Sequence, residues 1–527
     1  MAFRNETTYA RAVAEGREEC YHQTFERAAA RWLDNARGPP TIYPNHIGGI
    51  SQFSDRTFRV LSPGDNDLVV GLFQRSTVED VNRAIASARD TFIEWSREDW
   101  TSRVRIFQRA AELLRQRKYE LAAAITLDCG KNRHEAMGEV DEAIDFLEYY
   151  CSEVRRTNGF ERITDPAYPD EESRAILRPY GVWAIICPFN FPLAITAGMT
   201  TGALITGNTV VVKPSSAAPL MVRLFHDILV QAGLPPGVLN LVAGGGEEVG
   251  SALAHSRDVD GVAFTGSREV GMNIMRSSPV EVQRPIIAEM GSKNPIIVSG
   301  EADLEEAAEG VVAAAFSFSG QKCSACSRLY VHESVYDDFL RLLLERTAKL
   351  KVGDPFDRST DVGPLITDKA LNNHLKWAGL ARRDGKISVG GTRAEGGALS
   401  RGFYAMPTVV EGLPETHELM RRELFVPILG VQRYRTLQGA VEMANATEFG
   451  LTAGIFSNSE AELKHFFDNM QFGVLYANRR RSGTTGAMVG AQAFAGWKGS
   501  GSTGHGTGST HYLLQFMREQ SRTVVRR

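Results

Sequence analysis

Cysteine is scarce, with six in 527 residues. That density cannot staple a chain of this length, so a disulfide scaffold is excluded and a reducing, cytoplasmic setting is expected. An excess of one charge sign is also lacking: the net charge is −4, which excludes the broad basic surface that nucleic acid requires. The runs Arg479-Arg480-Arg481 and Arg526-Arg527 read as solvated or interface groups. The stretch from Met1 to Gly16 has no apolar core, so export is not expected. No metal-ligand pattern stands out, and none is expected. One long uncharged run does occur, 34 residues from Pro179 to Val212, long enough for a bilayer. Pro188, Asn190, Pro192, Gly198, Gly202, Gly207 and Asn208 interrupt it, and hydrocarbon offers nothing to the backbone groups that proline frees. The run therefore reads as two buried strands and a short helix, with no membrane partner.

What is present is the composition of a globular α/β protein: 43% hydrophobic, 23% charged, 50 glycines. The length implies more than one domain at ~100–200 residues each. Thr77 reads as an N-cap, followed by Val81, Ile85, Ala88, Phe92 and Trp95 at helical spacing. A second amphipathic helix is expected over 135–151. From Pro179 onward, apolar runs at 182–187, 210–213, 238–242 and 261–265 alternate with helical stretches, which implies right-handed crossovers and a parallel sheet. A second α/β unit follows, with helices over 302–316, 335–351 and 440–445 and strands over 328–332 and 428–434. Residues 162–177 read as a hairpin leaving the domain, and the glycine-rich stretch 496–508 as an ordered loop or a flexible segment.

The chemistry concentrates at Phe318-Ser319-Gly320-Gln321-Lys322-Cys323-Ser324 and at Glu289. A thiol attacks as thiolate, so it needs a neighbouring base or a positive setting. A cysteine that attacks a carbonyl, a carboxylate that activates water and a nucleotide-binding half upstream point to covalent oxidation of an aldehyde. Cys323 and Cys326 have the spacing of a redox pair, but no thioredoxin-like sequence surrounds them. Phe264-Thr265-Gly266-Ser267 places a glycine turn before a helix, which suits phosphate. The usual G-x-G-x-x-G fingerprint is absent, although Gly244-Gly245-Gly246 follows a strand.

Six segments in order carry a resemblance: Ile185-Ile186-Cys187-Pro188-Phe189-Asn190-Phe191-Pro192, Gly207 through Pro214, Phe264-Thr265-Gly266-Ser267, Glu289 through Pro295, Gly320-Gln321-Lys322-Cys323, and Glu423-Leu424-Phe425-Val426-Pro427. Together they resemble the aldehyde dehydrogenase superfamily from about Arg56 to the C-terminus. Gly130-Lys131-Asn132, Glu142 through Phe146, Ser324 through Arg328 and Thr485 through Gly490 resemble more narrowly the L-glutamate γ-semialdehyde dehydrogenases, also called 1-pyrroline-5-carboxylate dehydrogenases.

The resemblance implies an aldehyde dehydrogenase-like α/β fold. A Rossmann-type cofactor domain would comprise 1–161 and 179–288, a catalytic domain 289–495, and oligomerisation segments 162–178 and 496–527. It also implies that Cys323 forms a thiohemiacetal, that the Asn190 amide and the Cys323 N–H hold its oxyanion, and that Glu289 activates the water that hydrolyses the thioester. Lys213, Ser216, Gly266, Ser267, Glu423, Phe425 and Pro188 are the implied cofactor positions for NAD, with NADP possible because Ser216 stands where NAD-preferring relatives carry an acid. Ser324 and the N–H groups of Gly486 and Ala487 would hold a substrate carboxylate, and Glu142 would reach its amino group unless it is a solvated helix acid. The implied substrate is L-glutamate γ-semialdehyde, with another aromatic or aliphatic aldehyde as the alternative, and a homodimer or higher homo-oligomer is implied. Met290, Ser292 and Ala495 depart from the family pattern.

Overall fold

The computed structural model describes residues 3–279, 283–480 and 488–526. Among these, the apolar runs read above become the strands of two seven-stranded sheets. In the first sheet, five parallel strands lie side by side in the order Ile286–Glu289, Gly261–Thr265, Val182–Ile186, Thr209–Lys213 and Leu239–Leu241. The antiparallel hairpin Asn45–Ile47 and Ile50–Gln52 extends the far edge. Chain order runs outward in both directions from Val182–Ile186. A crevice therefore opens beyond the C-terminal ends of Val182–Ile186 and Gly261–Thr265, where doubly wound sheets take their ligands. Every residue of Val182–Ile186, Thr209–Lys213 and Gly261–Thr265 is buried, because parallel strands are covered on both faces, and this is why they read as continuous apolar runs.

The uncharged run resolves into the strand Val182–Ile186, the buried helix Ala194–Ile205 and the strand Thr209–Lys213. Among the described residues no helix is long and apolar enough to cross a membrane. The helix Val78–Trp95 begins where Thr77 was expected to cap it, with Asp80 reciprocating in a capping box. The helix read over 135–151 is longer, Arg133–Arg156. Asn132 caps it by accepting from the N–H groups of His134 and Glu135 at 3.1 and 3.0 Å.

The second sheet runs Lys386–Val389, Thr408–Glu411, Ile428–Tyr434, Cys326–His332, Asn294–Val298, Thr452–Phe456 and Val474–Ala477, parallel except at the first pair. Glu289 ends the last strand of the first sheet and Asn294 opens a strand of the second, so the residues between them pass from one sheet to the other. A third sheet pairs Glu161–Thr164 with Glu171–Pro179 and the latter with Met517–Val525. The hairpin expected at 162–177 thus has a C-terminal third strand.

The glycine-rich stretch is an ordered loop. Ser502 N–H donates to the Ala288 carbonyl at 3.0 Å, its hydroxyl accepts from Ala288 N–H at 2.8 Å, and Met290 N–H donates to the Ser500 carbonyl at 2.9 Å. The loop clamps the strand that ends at Glu289.

Candidate active site

Cys323 follows a turn built from left-handed backbone. Phe318, Ser319 and Gly320 have φ of 49°, 54° and 68°, and the first two each carry a steric cost of about 1–2 kcal/mol. The surroundings hold them there. The Ser319 hydroxyl donates to the Gly363 carbonyl at 2.6 Å. The Gln321 side chain donates to the Pro364 carbonyl at 3.2 Å and accepts from Ile366 N–H at 2.8 Å. At Gly320 a Cβ would lie 2.8 Å from the Val426 carbonyl oxygen, so only glycine fits. After the thiol, Asn294 donates to the carbonyls of Cys323 and Ala325 at 2.7 and 3.0 Å. A turn fixed on both sides delivers Cys323, partly exposed, into a cavity of about 420 Å³.

That cavity brings together most of the residues expected from the sequence. Cys323, Ser324, Asn190, Glu289, Glu423, Phe425, Pro188, Gly266, Ser267 and Glu142 all line it. The buried Asn190 amide donates to the Gln321 carbonyl at 3.1 Å, two residues before the thiol, which leaves its second N–H available. Glu289 accepts from Thr507 N–H at 3.2 Å. Glu423 accepts from Ser292 N–H at 2.8 Å and packs so closely on Gly291 that a Cβ there would lie 2.0 Å from its carboxylate. Phe425, itself at φ 58°, meets Phe189 edge-on at 5.8 Å. Glu142 stands on the cavity wall one turn before Phe146.

Of the two settings that activate a thiol, the cavity supplies neighbouring bases rather than positive charge. Burial raises the Cys323 pKa first, and the carboxylates of Glu289, Glu423 and Glu142 add to it, against one lowering contact from the Ser324 backbone. Burial also pushes the acids up: Glu289 and Glu423 to about 7, and Glu142 to about 8. Three groups capable of taking a proton near neutrality thus share the cavity with a thiol that stays protonated until a base acts on it.

Lys213 and Ser216 stay off the cavity wall, which Ser215 reaches instead. Lys213 is buried, its Nζ donates to the Pro214 carbonyl at 2.8 Å, and desolvation lowers its pKa to about 8. The Ser216 hydroxyl donates to the Gly244 carbonyl at 2.9 Å. Gly486 and Ala487 lie outside the described residues. The departure at Met290 has a packing reason: its sulfur covers Gly271, where a Cβ would come within 2.6 Å of it. Sequence reasoning missed Phe494, Leu451 and Thr507, which also line the cavity. No local pattern marks them, because each arrives by long-range packing.

A thiol on a strained turn, a buried amide and a carboxylate thus line one cavity at the crevice of a doubly wound sheet, the parts that covalent oxidation of a carbonyl requires. Residues 50–522 match the model of the aldehyde dehydrogenase family. The chain belongs to that family. It is 39% identical to the 1-pyrroline-5-carboxylate dehydrogenase of Geobacillus sp. (strain WCH70) over 487 residues, 92% of each chain. It is 38% identical to the enzyme of that name from Bacillus cytotoxicus over 484 residues, 91% of this chain and 92% of the other. The Thermus 1-pyrroline-5-carboxylate dehydrogenase with bound NAD superposes with a TM-score of 0.93 at 34% identity, covering 100% of this chain and 99% of that one.

Proposed function

We propose that this chain oxidises L-glutamate γ-semialdehyde, the open form of 1-pyrroline-5-carboxylate, to L-glutamate, with NAD or NADP as oxidant. The observation that carries the chemistry is the convergence of Cys323, Asn190 and Glu289 on one cavity. The substrate rests on the relatives above and on Glu142, an acid on the cavity wall that can face an α-amino group.

The crevice fits a dinucleotide. Gly266 and Ser267 line it at the N-terminus of the helix Arg268–Ser277, where free N–H groups suit a pyrophosphate. At Gly266 a Cβ would lie 2.6 Å from the Phe264 ring, so the turn needs glycine. Glu423 offers a carboxylate to a ribose, and Phe425 and Pro188 offer apolar surface. Ser216 carries no charge to repel a 2′-phosphate, so NADP is tolerated. When bound, the cofactor supplies the hydride acceptor.

Glu289 takes the thiol proton, and the Cys323 sulfur bonds to the aldehyde carbon. The free N–H of Asn190 and the Cys323 backbone N–H hold the oxyanion of the thiohemiacetal, each donor being worth about 3 kcal/mol. Loss of hydride leaves a thioester on Cys323. Glu289 hands the thiol proton to solvent and then takes a proton from water, whose oxygen attacks the thioester carbon and breaks the C–S bond; the proton on Glu289 passes to the departing sulfur and restores the thiol. Ser324 and the segment containing Gly486 and Ala487 hold the substrate carboxylate. The proposed working form is a homodimer or higher homo-oligomer in a reducing compartment, with residues 162–178 and 496–527 as its bridging segments, 1–161 and 179–288 as the cofactor domain and 289–495 as the catalytic domain.

The test is NADH and NADPH formation with glutamate γ-semialdehyde beside succinic semialdehyde, benzaldehyde and an aliphatic aldehyde. Preference for the glutamate semialdehyde supports the reading. Preference for benzaldehyde moves the function to an aromatic aldehyde, a second reading favoured by Phe146, Phe189, Phe191 and Phe494 on the cavity wall.

A further inference from the structure

His46, on the strand Asn45–Ile47, and His226, on the helix Leu220–Ala232, belong to no part of the catalytic cavity. They are 180 residues apart in sequence (226 − 46), so no spacing motif announces them. Both are buried, with 8% and 4% exposure, and their rings lie 4.4 Å apart at a 30° tilt. Among the described residues, His46 Nε2 and His226 Nδ1 have no hydrogen-bond partner, an arrangement that folded proteins avoid unless something else satisfies the nitrogen. His226 also hydrogen-bonds the Leu239 backbone. That bond leaves Nδ1 as the nitrogen with a free lone pair, the way a second contact commonly orients a ligating imidazole.

Asp227 follows on the helix, partly exposed, with a carboxylate oxygen 3.6 Å from His226 Nδ1. One ligand atom from each of the three residues lies within 4.8 Å of the others. A tetrahedral zinc with bonds of about 2.0–2.2 Å holds its ligand atoms about 3.3 Å apart, a gap that side-chain rotation closes. Two imidazoles and a carboxylate with water in the fourth position suit a borderline cation. We propose that His46, His226 and Asp227 form a binding site for a divalent transition metal such as zinc.

The site has one competitor. Arg223, one turn earlier on the helix, pairs with the same Asp227 oxygen. The guanidinium must release Asp227 before a metal takes it. The consequence of binding is structural. His46 pairs with Leu241, the single paired position joining the N-terminal hairpin to the parallel strands, and a metal would staple that edge to the helix.

The experiment uses the full chain carrying Cys323→Ser, so that the catalytic thiol contributes no ligand, titrated with zinc and with cobalt. The expected result is one metal per chain, a higher melting temperature with zinc, and a cobalt spectrum of nitrogen and oxygen ligands without thiolate charge transfer. His46→Gln and Asp227→Asn each weaken binding at least tenfold, and Arg223→Gln tightens it. Asp227 is partly exposed and tolerates substitution, which keeps the test sound if His46→Gln fails to fold. The proposal is overturned if the folded parent and the Arg223→Gln chain both show no binding and no melting shift at about 100 µM zinc. It is equally overturned if Asp227→Asn binds as tightly as the parent.

Discussion

Two clusters of buried charge sit back to back in this molecule, and they are built on opposite rules. Behind the cavity, Lys131 is matched. Its Nζ lies 2.7 Å from Glu139, and it faces the rings of Phe191 and Phe318 at 3.3 and 4.9 Å. The second Glu139 oxygen accepts from the N–H groups of Leu193 and Ala194 at 2.7 and 3.3 Å. In the cavity, Glu289, Glu423 and Glu142 have no cation in salt-bridge contact among the described residues, and their pKa values rise with burial. The matched pair sets positions: Phe191 on the cavity wall, Phe318 at the start of the thiol turn and the entry to the helix Ala194–Ile205. The unmatched acids, raised by burial, remain able to exchange protons near neutral pH. Stability and reactivity are thus assigned to neighbouring groups of the same chemical type.

Substitutions can break this contrast from either side. The largest effect is expected from Cys323→Ser, which should lower aldehyde oxidation by at least about 10⁴-fold while leaving NAD binding, read by fluorescence titration, unchanged. Lys131→Met should cost about 3–5 kcal/mol by leaving Glu139 buried without its cation, measured by urea unfolding; a cost below 1 kcal/mol would mean that the pair holds nothing in place. Asn190→Ala should reduce kcat by about 10²–10³-fold with little change in substrate affinity. The smallest effect sharpens the comparison. Removing one acid with Glu423→Gln should lower the Cys323 pKa, so that iodoacetamide alkylation of the cofactor-free enzyme at pH 7 speeds up several-fold. In the parent the rate should climb as pH rises, because the thiol is held protonated, and a rate flat between pH 6 and 9 would remove the acids' influence on it.

The regular elements were largely legible in the sequence. The strands Gly261–Thr265 and Ile428–Tyr434 fall at the bounds read from the sequence, because each is bounded by a break in hydropathy. The strand Ile286–Glu289 escaped notice: it is short, follows Pro285, and is defined by pairing with Gly261–Thr265 rather than by its own pattern. The helix Glu18–Arg37 was also missed, since arginine, glutamate and alanine dilute its apolar face. Within the site, Cys323, Glu289 and Asn190 were legible because each sits in a distinctive local run. Thr507 was not, although its N–H orients Glu289, because a glycine-rich segment carries no periodicity and the contact spans 218 residues. The charge state of the cavity was hidden for a related reason. Whether Glu142 faces solvent or the thiol depends on what packs over the helix Arg133–Arg156.

The most direct measurement is pre-steady-state NADH formation by Glu289→Gln with glutamate γ-semialdehyde. If an unmatched, buried Glu289 activates the hydrolytic water, the variant should release a burst of up to one NADH per chain and then turn over about 10²–10⁴-fold more slowly than the parent, with acyl-enzyme trapped on Cys323 and visible by mass spectrometry. Steady turnover at the parent rate, with no burst and no acyl-enzyme, would contradict the account.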